Sequence, residues 1–303
     1  MKFEKLSGLV AAAFTPFKPD GKLNLSQVPL LGESLRKNKI SAAFICGTTG
    51  EGSSMTTTER VTVAEEWKKT KPAGLRLAVH VGHNSLADSL VLAQHAEEIG
   101  ADAIAMIAPS YFRPASLDDL VDCCRYVASG APRLPFYYYH MPESTGVGFD
   151  MREFLRLASK KIPNLAGLKF TYHDLKNFQQ ALAFAQDKYA VLHGRDETLI
   201  AGLVLGSTGA IGSTYNYAAP VYHRVLQAYR ERDIVTARLE QEQAVEIVEV
   251  MLRHGGLPAG KAIMKLIGLD CGGVRLPLRS LDDAAVSLLK ADLDKLGFFA
   301  SCS

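Results

Sequence analysis

The chain has 303 residues, of which 48% are hydrophobic and 22% are charged, a composition typical of a globular protein with a sizeable core. Its formal net charge of +2 gives no electrostatic reason to expect a nucleic-acid or membrane surface as its partner. No segment reaches the roughly 18 consecutive apolar residues that a membrane-spanning helix requires.

The N-terminus combines a charged start with a short apolar run, a combination also found in secretory signals. The run ends at Thr15-Pro16 without a small-residue cleavage pattern, so a first buried strand is the better interpretation. The chain has five cysteines: Cys46, Cys123, Cys124, Cys271 and Cys302. Their odd number and the absence of metal-site spacing predict free thiols in a reducing, cytoplasmic environment, with no metal site.

Eight short apolar segments alternate with helical patterns over the first two thirds of the chain. They span residues 8–14, 42–46, 76–81, 103–108, 134–139, 165–170, 189–193 and 209–213. Most begin roughly 30 residues apart, the length of one strand–helix unit. The pattern predicts an α/β fold, a closed (β/α)8 TIM barrel, and leaves an open doubly wound sheet as the alternative.

The predicted helices differ in character before and after the eighth strand. Those between the strands include residues 57–69, 85–99, 117–128 and 151–158, and the first of them opens with threonines and Glu59, a capping-box pattern. After residue 218 the helical segments 218–230, 234–253, 261–267 and 282–296 follow one another without strands. We therefore predict a barrel over residues 1–230 and a C-terminal helical extension over 231–303, packed on the barrel within a single domain.

Polar side chains follow five of the eight predicted strands. They lie in residues 47–52, 137–142, 169–171, 193–197 and 212–216. In a (β/α)8 barrel the carboxyl ends of the strands converge on one face, and catalytic groups sit there. The sequence therefore predicts a single pocket at this face.

Lys169 directly follows the apolar residues 165–168 and is the strongest catalytic candidate. A lysine is rarely buried without a partner or a task. Desolvation disfavours the ammonium form, and a neutral amine attacks a ketone to give an imine that withdraws electrons from the adjacent bond. The alternative, that the side chain extends from the strand end into water, remains open on sequence position alone.

Thr48 and Thr49 lie in a glycine-flanked turn, Gly47-Thr48-Thr49-Gly50-Glu51, after the second strand. Hydroxyls and backbone N–H groups in such turns bind anions, so a carboxylate is the expected ligand. The turn lacks the Gly-Lys-Ser/Thr ending of a P-loop. An ordinary turn without a ligand is the alternative.

Four further side chains are candidates at the same face. Tyr139 ends the fifth strand, where a phenol is able to relay a proton, although strand packing also explains a tyrosine there. Asp196, Glu197 and Ser213 are candidates for binding substrate hydroxyls. Carboxylates at the start of a helix and a serine at a cap are the structural alternatives.

Several motifs together resemble one known family. They are GTTGE at 47–51, YHMP at 139–142 with Thr145-Gly146, GLK at 167–169 and GAIGS at 209–213. The chain is similar to the N-acetylneuraminate lyase and dihydrodipicolinate synthase family from Gly8 to about Asn216, and more weakly to about Leu278. This resemblance implies a (β/α)8 barrel with C-terminal helices, a homotetramer, no metal or organic cofactor, and a Schiff base between Lys169 and pyruvate.

The resemblance is closer to the sialic-acid lyase branch than to the synthase branch. Ser144 stands where the synthase branch has an arginine that grips the second substrate's carboxylate, and a serine cannot make that bidentate contact. Residues 194–197, residues 212–216 and the stretch 137–142 look similar to sialic-acid lyases. Glu143 departs from that branch, which usually has a small residue there, and this leaves the sugar preference open.

The resemblance also implies roles for the remaining candidates. Thr171, Gly194, Asp196, Glu197 and Ser213 would bind the polyol tail of the sugar, and Tyr111 would reach a neighbouring subunit's site. The implied reaction is the reversible cleavage of N-acetylneuraminate to N-acetyl-D-mannosamine and pyruvate. The alternatives are another pyruvate-dependent aldolase or dehydratase of the family and a non-catalytic keto-acid sensor.

Overall fold

The computed structural model describes residues 3–302 and contains a closed barrel of eight parallel strands. The strands are β1 Gly8–Ala12, β2 Ala42–Ile45, β3 Arg76–His80, β4 Ala103–Ile107, β5 Phe136–His140, β6 Leu165–Phe170, β7 Ala190–His193 and β8 Gly209–Gly212. Each pairs with the next in chain order, and β1 pairs with β8 from Gly8 opposite Gly209. The prediction of a TIM barrel is confirmed, and the alternative of an open sheet is wrong.

Helices follow the strands and continue beyond the eighth. They are α1 Val28–Lys37, α2 Thr57–Thr70, α3 Leu86–Glu98, α4 Leu117–Ala128, α5 Pro142–Thr145, α6 Met151–Lys161, α7 Leu175–Ala185, α8 Leu199–Val204, α9 Ala219–Arg230, α10 Ile234–Arg253, α11 Leu257–Leu266, α12 Asp283–Lys295 and α13 Phe298–Ser301. The predicted C-terminal helices are present, and α10 packs against α9 and the turn Asp196–Thr198. The predicted boundary between the barrel (residues 1–230) and the C-terminal extension (residues 231–303) stays a prediction.

Local chemistry fixes several helix starts. Thr56 and Glu59 form a capping box at α2, as the sequence indicates, because each side chain bonds the other residue's backbone N–H. Helix α11 begins four residues before the predicted start, at Leu257 rather than Lys261. Pro258 explains this difference, since its fixed φ suits the first turn of a helix.

The interior of the barrel is filled by small side chains and a few aromatic rings. Its buried apolar residues are Leu6, Val10, Ala12, Ala42, Phe44, Ala78, Ala103, Ala105, Tyr137, Tyr139, Ala166, Ala190, Leu192 and Ile211. The Tyr137 hydroxyl accepts a hydrogen bond from the Leu6 backbone N–H at 2.8 Å, away from the carboxyl ends of the strands. A second and larger apolar layer lies between the strands and the helices.

One irregularity in β6 decides which way Lys169 points. Phe136 pairs with Leu165 but Tyr137 pairs with Gly167, so Ala166 is an extra residue without a partner in β5. Side chains alternate between the two faces of a regular strand. Because Ala166 faces the barrel interior, Lys169, three residues later, would face outward in a regular strand. The extra residue shifts the alternation by one position, so Lys169 also faces the interior. Gly167 is required there, because a Cβ atom would overlap the backbone of Ala190.

None of the helices within residues 3–302 is long and apolar enough to cross a membrane.

Candidate active site

A cavity of about 340 Å³ opens at the carboxyl ends of the strands. Nine of the ten side chains and backbone positions singled out from the sequence line it. They are Thr48, Thr49, Tyr139, Lys169, Thr171, Gly194, Asp196, Glu197 and Ser213. The barrel therefore brings together residues from five strand ends, as the position of active sites in this architecture leads us to expect.

Lys169 lies at the inner end of this cavity and is 5% exposed. Its Nζ is 4.2 Å from the ring centroid of Tyr139 and 5.4 Å from that of Phe44. Tyr139 and Lys169 are directly paired across β5 and β6, which places both side chains on the inner face. Within the described part of the chain, no ion pair or hydrogen bond holds this amine, so it is available to a ligand in the cavity.

The Tyr139 hydroxyl lies beside the threonine turn. It donates to Met141 Sδ at 3.0 Å and lies 3.5 Å from Thr48 Oγ1. Because a thioether is a weak acceptor, this hydroxyl is easily drawn to a stronger partner. The arrangement allows a proton to pass between the Tyr139 oxygen and a ligand bound to Lys169.

The turn that carries Thr48 and Thr49 is held from outside the barrel. Glu51, which has a left-handed φ of 53°, directs its carboxylate away from the cavity. Its Oε1 lies 2.7 Å from Nζ of Lys261 in α11, and its Oε2 accepts from the Arg275 backbone N–H at 2.9 Å. The C-terminal region therefore fixes the turn that we expect to bind a carboxylate.

Asp196 is buried at the end of β7 and connects two strand ends. Its Oδ2 accepts from the Thr214 backbone N–H at 2.9 Å and from the Thr214 hydroxyl at 2.6 Å. Its Oδ1 is buried and has no hydrogen-bond partner among residues 3–302. Burial raises the pKa of this carboxyl. Gly212 is required opposite, because a Cβ atom would overlap Asp196 Oδ1.

Gly194 and Thr171 lie on neighbouring strand ends, β7 and β6. A Cβ atom at Gly194 would overlap Thr171 Oγ1, so only glycine allows this close approach. The Thr171 hydroxyl is buried and unpaired within the described residues. It is therefore a donor or acceptor available to a ligand.

Two charged side chains at the cavity rim were given no role from the sequence. Arg195 donates from Nε to Glu197 Oε1 at 2.9 Å, and its Nη1 lies 3.3 Å from Glu143 Oε1. From the sequence, Glu143 is only a departure from the pattern of the sialic-acid lyase branch. Its partner lies 52 positions away in the chain, so nothing local in the sequence indicates the pair.

A wall of the cavity comes from α10, α11 and the turn between them. It consists of Val248, Met251, Leu252, Gly256, Leu257 and Gly260. The first three recur at helical spacing, which predicts one apolar helix face. Nothing in that pattern connects the face to the barrel mouth, and sequence reasoning missed it.

Tyr111 does not line the cavity. It is 80% exposed and packs edge-to-face on Phe112, itself 86% exposed, with ring centroids 4.9 Å apart. Within one chain the structure does not bring Tyr111 to the other nine residues. Its expected contribution to a neighbouring subunit stays a prediction.

Three buried histidines lie around the site and are held neutral. Burial lowers the pKa of His140 and of His193 to about 4, and that of His80 well below its ordinary value. His80 lies with Nδ1 3.1 Å from the Cys46 carbonyl, while its Nε2 accepts from the Ile107 N–H at 3.1 Å. These contacts assign His80 a structural role.

Within residues 3–302, no group of three or more His, Cys, Asp or Glu side chains is arranged to hold a metal ion.

The model of the dihydrodipicolinate synthetase family matches residues 5–296 of the chain. The chain belongs to the dihydrodipicolinate synthetase family. Its relatives in this family include N-acetylneuraminate lyases: that of Mus musculus is 41% identical over 308 residues, covering 99% of this chain and 95% of the relative. That of Homo sapiens is 42% identical, with 97% and 95% covered.

Solved structures of the dihydrodipicolinate synthetase family extend the likeness to the whole architecture. Proteus mirabilis N-acetylneuraminate lyase superposes with a TM-score of 0.94 at 40% identity, over 97% of this chain and 100% of that chain. The family membership indicated by the motifs is confirmed. The match also includes the C-terminal helices, where the motif resemblance is weaker.

Proposed function

We propose that the chain is a class I lyase that reversibly cleaves N-acetylneuraminate to N-acetyl-D-mannosamine and pyruvate through a Schiff base on Lys169. One observation carries the proposal: the buried Lys169 amine faces a cavity, 4.2 Å from the Tyr139 ring, without an ion pair among the described residues. The N-acetylneuraminate lyases among its relatives support the choice of substrate.

The first step forms the imine. Lys169 Nζ attacks the ketone carbon of the open-chain keto acid, and the resulting carbinolamine loses water. Thr48 and Thr49, with the N–H groups of their turn, hold the adjacent carboxylate and so orient the carbonyl toward the amine. The protonated imine then draws electrons from the neighbouring carbon–carbon bond.

The second step breaks that bond. The Tyr139 oxygen accepts the proton of the hydroxyl on the fourth carbon and passes its own hydroxyl proton to Thr48 Oγ1, 3.5 Å away, and from there to solvent. The bond between the third and fourth carbons breaks, and its electron pair moves into an enamine on Lys169. N-acetyl-D-mannosamine leaves as the aldehyde. Protonation of the enamine carbon and addition of water release pyruvate and the free amine. The imine accepts the electrons itself, so the reaction requires no metal or organic cofactor.

The polar groups along the rim hold the rest of the sugar. We assign this role to Thr171, Gly194, Asp196, Glu197 and Ser213. The unpaired Oδ1 of Asp196 and the unpaired hydroxyl of Thr171, both buried, support it because a polyol supplies the missing hydrogen bonds.

The proposal includes a homotetramer that acts on a small molecule, with no nucleic acid or membrane as partner. The exposed Tyr111–Phe112 pair supports assembly, because two large aromatic side chains in contact rarely remain exposed on a monomer. The five free cysteines support a reducing, cytoplasmic location. Light scattering of the purified protein measures the number of subunits, and Tyr111→Ala tests whether the tyrosine contributes to assembly or activity.

Borohydride trapping tests the Schiff base. Reduction in the presence of pyruvate should add one reduced pyruvate to the peptide that carries Lys169. Peptides that carry the buried Lys261 and the exposed Lys188 serve as internal controls and should remain unmodified. An unmodified Lys169 would contradict the proposal.

A panel of 2-keto acids tests the substrate. Pyruvate release from N-acetylneuraminate should exceed release from 2-keto-3-deoxy sugar acids and from 4-hydroxy-2-oxoglutarate. Faster cleavage of either of those would identify another aldolase of the family, and binding without turnover would identify a sensor. Ser144→Arg, which supplies the arginine of the synthase branch, should not increase the rate.

A further inference from the structure

The rim of the cavity carries an arginine that is already occupied by two carboxylates. We infer that Glu143 and Arg195 select substrates whose far end is uncharged over substrates that carry a second anionic group. This inference rests on the proposed function and specifies the substrate class that the same site accepts.

Arg195 is engaged on both sides of its guanidinium. Nε and Nη2 lie 2.9 and 2.8 Å from Glu197 Oε1, and Nη1 lies 3.3 Å from Glu143 Oε1. The side chain is 29% exposed and lines the cavity, so its charge acts within the pocket and is only partly screened by water.

Glu143 connects three strand ends. It lies at the start of α5, after β5, and its Oε1 also lies 3.2 Å from Nδ1 of His173, after β6. Arg195 follows β7. The carboxylate is half-exposed and forms part of the cavity lining. It therefore faces both the arginine and any ligand that fills the outer half of the cavity.

The rim of the cavity carries more negative than positive charge, and this excess disfavours an anionic ligand. Glu143 and Glu197 supply two negative charges against the single positive charge of Arg195. An incoming carboxylate or phosphate is repelled by both and must displace one of them to reach the guanidinium. A sugar hydroxyl meets no such barrier, because it is able to donate to a carboxylate and to accept from Arg195.

Removal of Glu143 should weaken this preference for an uncharged far end. Arg195 Nη1 would lose its carboxylate partner and face the cavity as a free donor, the arrangement that proteins use to bind anions. Removal of Arg195 should have the opposite effect, because two carboxylates would remain without a cation between them. Glu143 and Arg195 are in contact, so general damage to the rim would change the preference in the same direction in both variants. Changes in opposite directions therefore indicate a charge effect.

A pair of matched aldehydes tests the inference. D-Mannose and D-mannuronate differ only at the sixth carbon, which is an alcohol in one and a carboxylate in the other. The ratio of their kcat/KM values in condensation with pyruvate should favour mannose for the native enzyme. It should fall about tenfold in Glu143→Gln and rise about tenfold in Arg195→Gln. Added salt should lower the native ratio, because it screens the rim charges.

Glu153→Gln is the matched control. This glutamate forms an exposed ion pair with Arg156 at 2.6 Å on α6, so its loss removes the same charge without touching the cavity. Its ratio should equal the native one. A melting curve for each variant shows whether the rim substitutions leave the fold intact.

The outcomes separate the two proposals. If the native enzyme condenses mannose with pyruvate but Glu143→Gln leaves the ratio unchanged, the inference is wrong and the proposed function stands. If Arg195→Gln lowers the ratio or leaves it unchanged, the charge of Arg195 does not offset the two carboxylates and the inference is also wrong. If the native enzyme condenses neither aldehyde and forms no pyruvate adduct, both proposals fail together.

Discussion

Among residues 3–302, two lysines are almost completely buried, Lys169 at the barrel mouth and Lys261 in α11, at 5% and 2% exposure. Lys261 is fully partnered. Its Nζ lies 2.7 Å from Glu51 Oε1, donates to the Gly273 carbonyl at 2.7 Å and lies 4.3 Å from the Phe17 ring centroid. Burial lowers its pKa, and the Glu51 carboxylate opposes that shift.

Lys169 has neighbours of a different kind. Aromatic rings of Tyr139 and Phe44 face its amine, and no carboxylate lies within ion-pair distance among residues 3–302. Lys169 borders the cavity at the carboxyl ends of the strands, whereas the amine of Lys261 is held by the Glu51 carboxylate and the Gly273 carbonyl. The comparison indicates that burial alone does not mark a reactive lysine. Under the proposed function, the reactive lysine is the one whose amine has no carboxylate partner and faces the cavity at the strand ends.

The largest expected effect is that of Lys169→Met. Removal of the amine eliminates the imine, so kcat/KM for pyruvate release should fall about 10⁴-fold or more. The fold should survive, since the substitution replaces a buried amine that has no ion pair. Pyruvate release and borohydride trapping measure the loss. Substantial turnover in Lys169→Met would mean that Lys169 does not form the imine.

Tyr139→Phe should lower kcat about 10³-fold, because the ring beside Lys169 remains while the proton acceptor is lost. KM should change little, and trapping of pyruvate on Lys169 should persist. This separation between imine formation and bond cleavage distinguishes a proton relay from a packing role. A kcat within about tenfold of the native value would assign Tyr139 to packing alone.

Replacement of the other buried lysine, Lys261, by methionine should lower the stability of the fold. Lys261→Met leaves the buried carboxylate of Glu51 without its cation, which costs about 3–5 kcal/mol of unfolding free energy. Urea denaturation measures this loss. The double variant Lys261→Met/Glu51→Gln should recover part of it, because no buried charge then remains unpaired.

The folded fraction of Lys261→Met should still trap pyruvate on Lys169. A variant as stable as the native protein would show that the Glu51–Lys261 pair does not hold the turn. Loss of trapping in folded protein would assign Lys261 a catalytic function and remove the distinction between the two lysines.

The smallest expected effect concerns pH. His140 takes up a proton only near pH 4 in the folded protein, where burial lowers its pKa, but near its ordinary pKa of about 6.5 when unfolded. The unfolded state binds more protons over this interval, so stability falls as pH decreases from about 6.5 to 4, by on the order of 3 kcal/mol. His140→Phe should flatten the slope of unfolding free energy against pH.

The control is the interval above about pH 7, where His140 is neutral in both the folded and the unfolded state and His140→Phe should leave the slope unchanged. An unchanged slope in His140→Phe at lower pH would show that other groups set the acid sensitivity of the fold.

Local patterns predict much of this architecture. The eight apolar segments, the capping box of Thr56 and Glu59 and the lysine at a strand end are all features of neighbouring residues, and a barrel places them by rule. The same rule predicts that Thr48, Tyr139 and Asp196 share one cavity with Lys169, as they do.

Contacts between distant residues could not be predicted from the sequence. The pairing of Glu143 with Arg195, the ion pair of Glu51 with Lys261 and the cavity wall from α10 and α11 each join segments that no local pattern connects. Lys261 lies inside an ordinary helical segment, so the sequence offered no reason to compare it with Lys169.

The extra residue at Ala166 bears on what fraction of the chains in a purified sample has Lys169 facing the cavity. A barrel whose β5 and β6 paired without it would keep its strands and helices but turn Lys169 toward the surrounding helices. Such a molecule would have an ordinary circular dichroism spectrum and would not react with pyruvate. If Lys169 forms the proposed Schiff base, titration of trapped pyruvate against total protein counts the barrels in the correct register, and a value below one per chain reveals the rest.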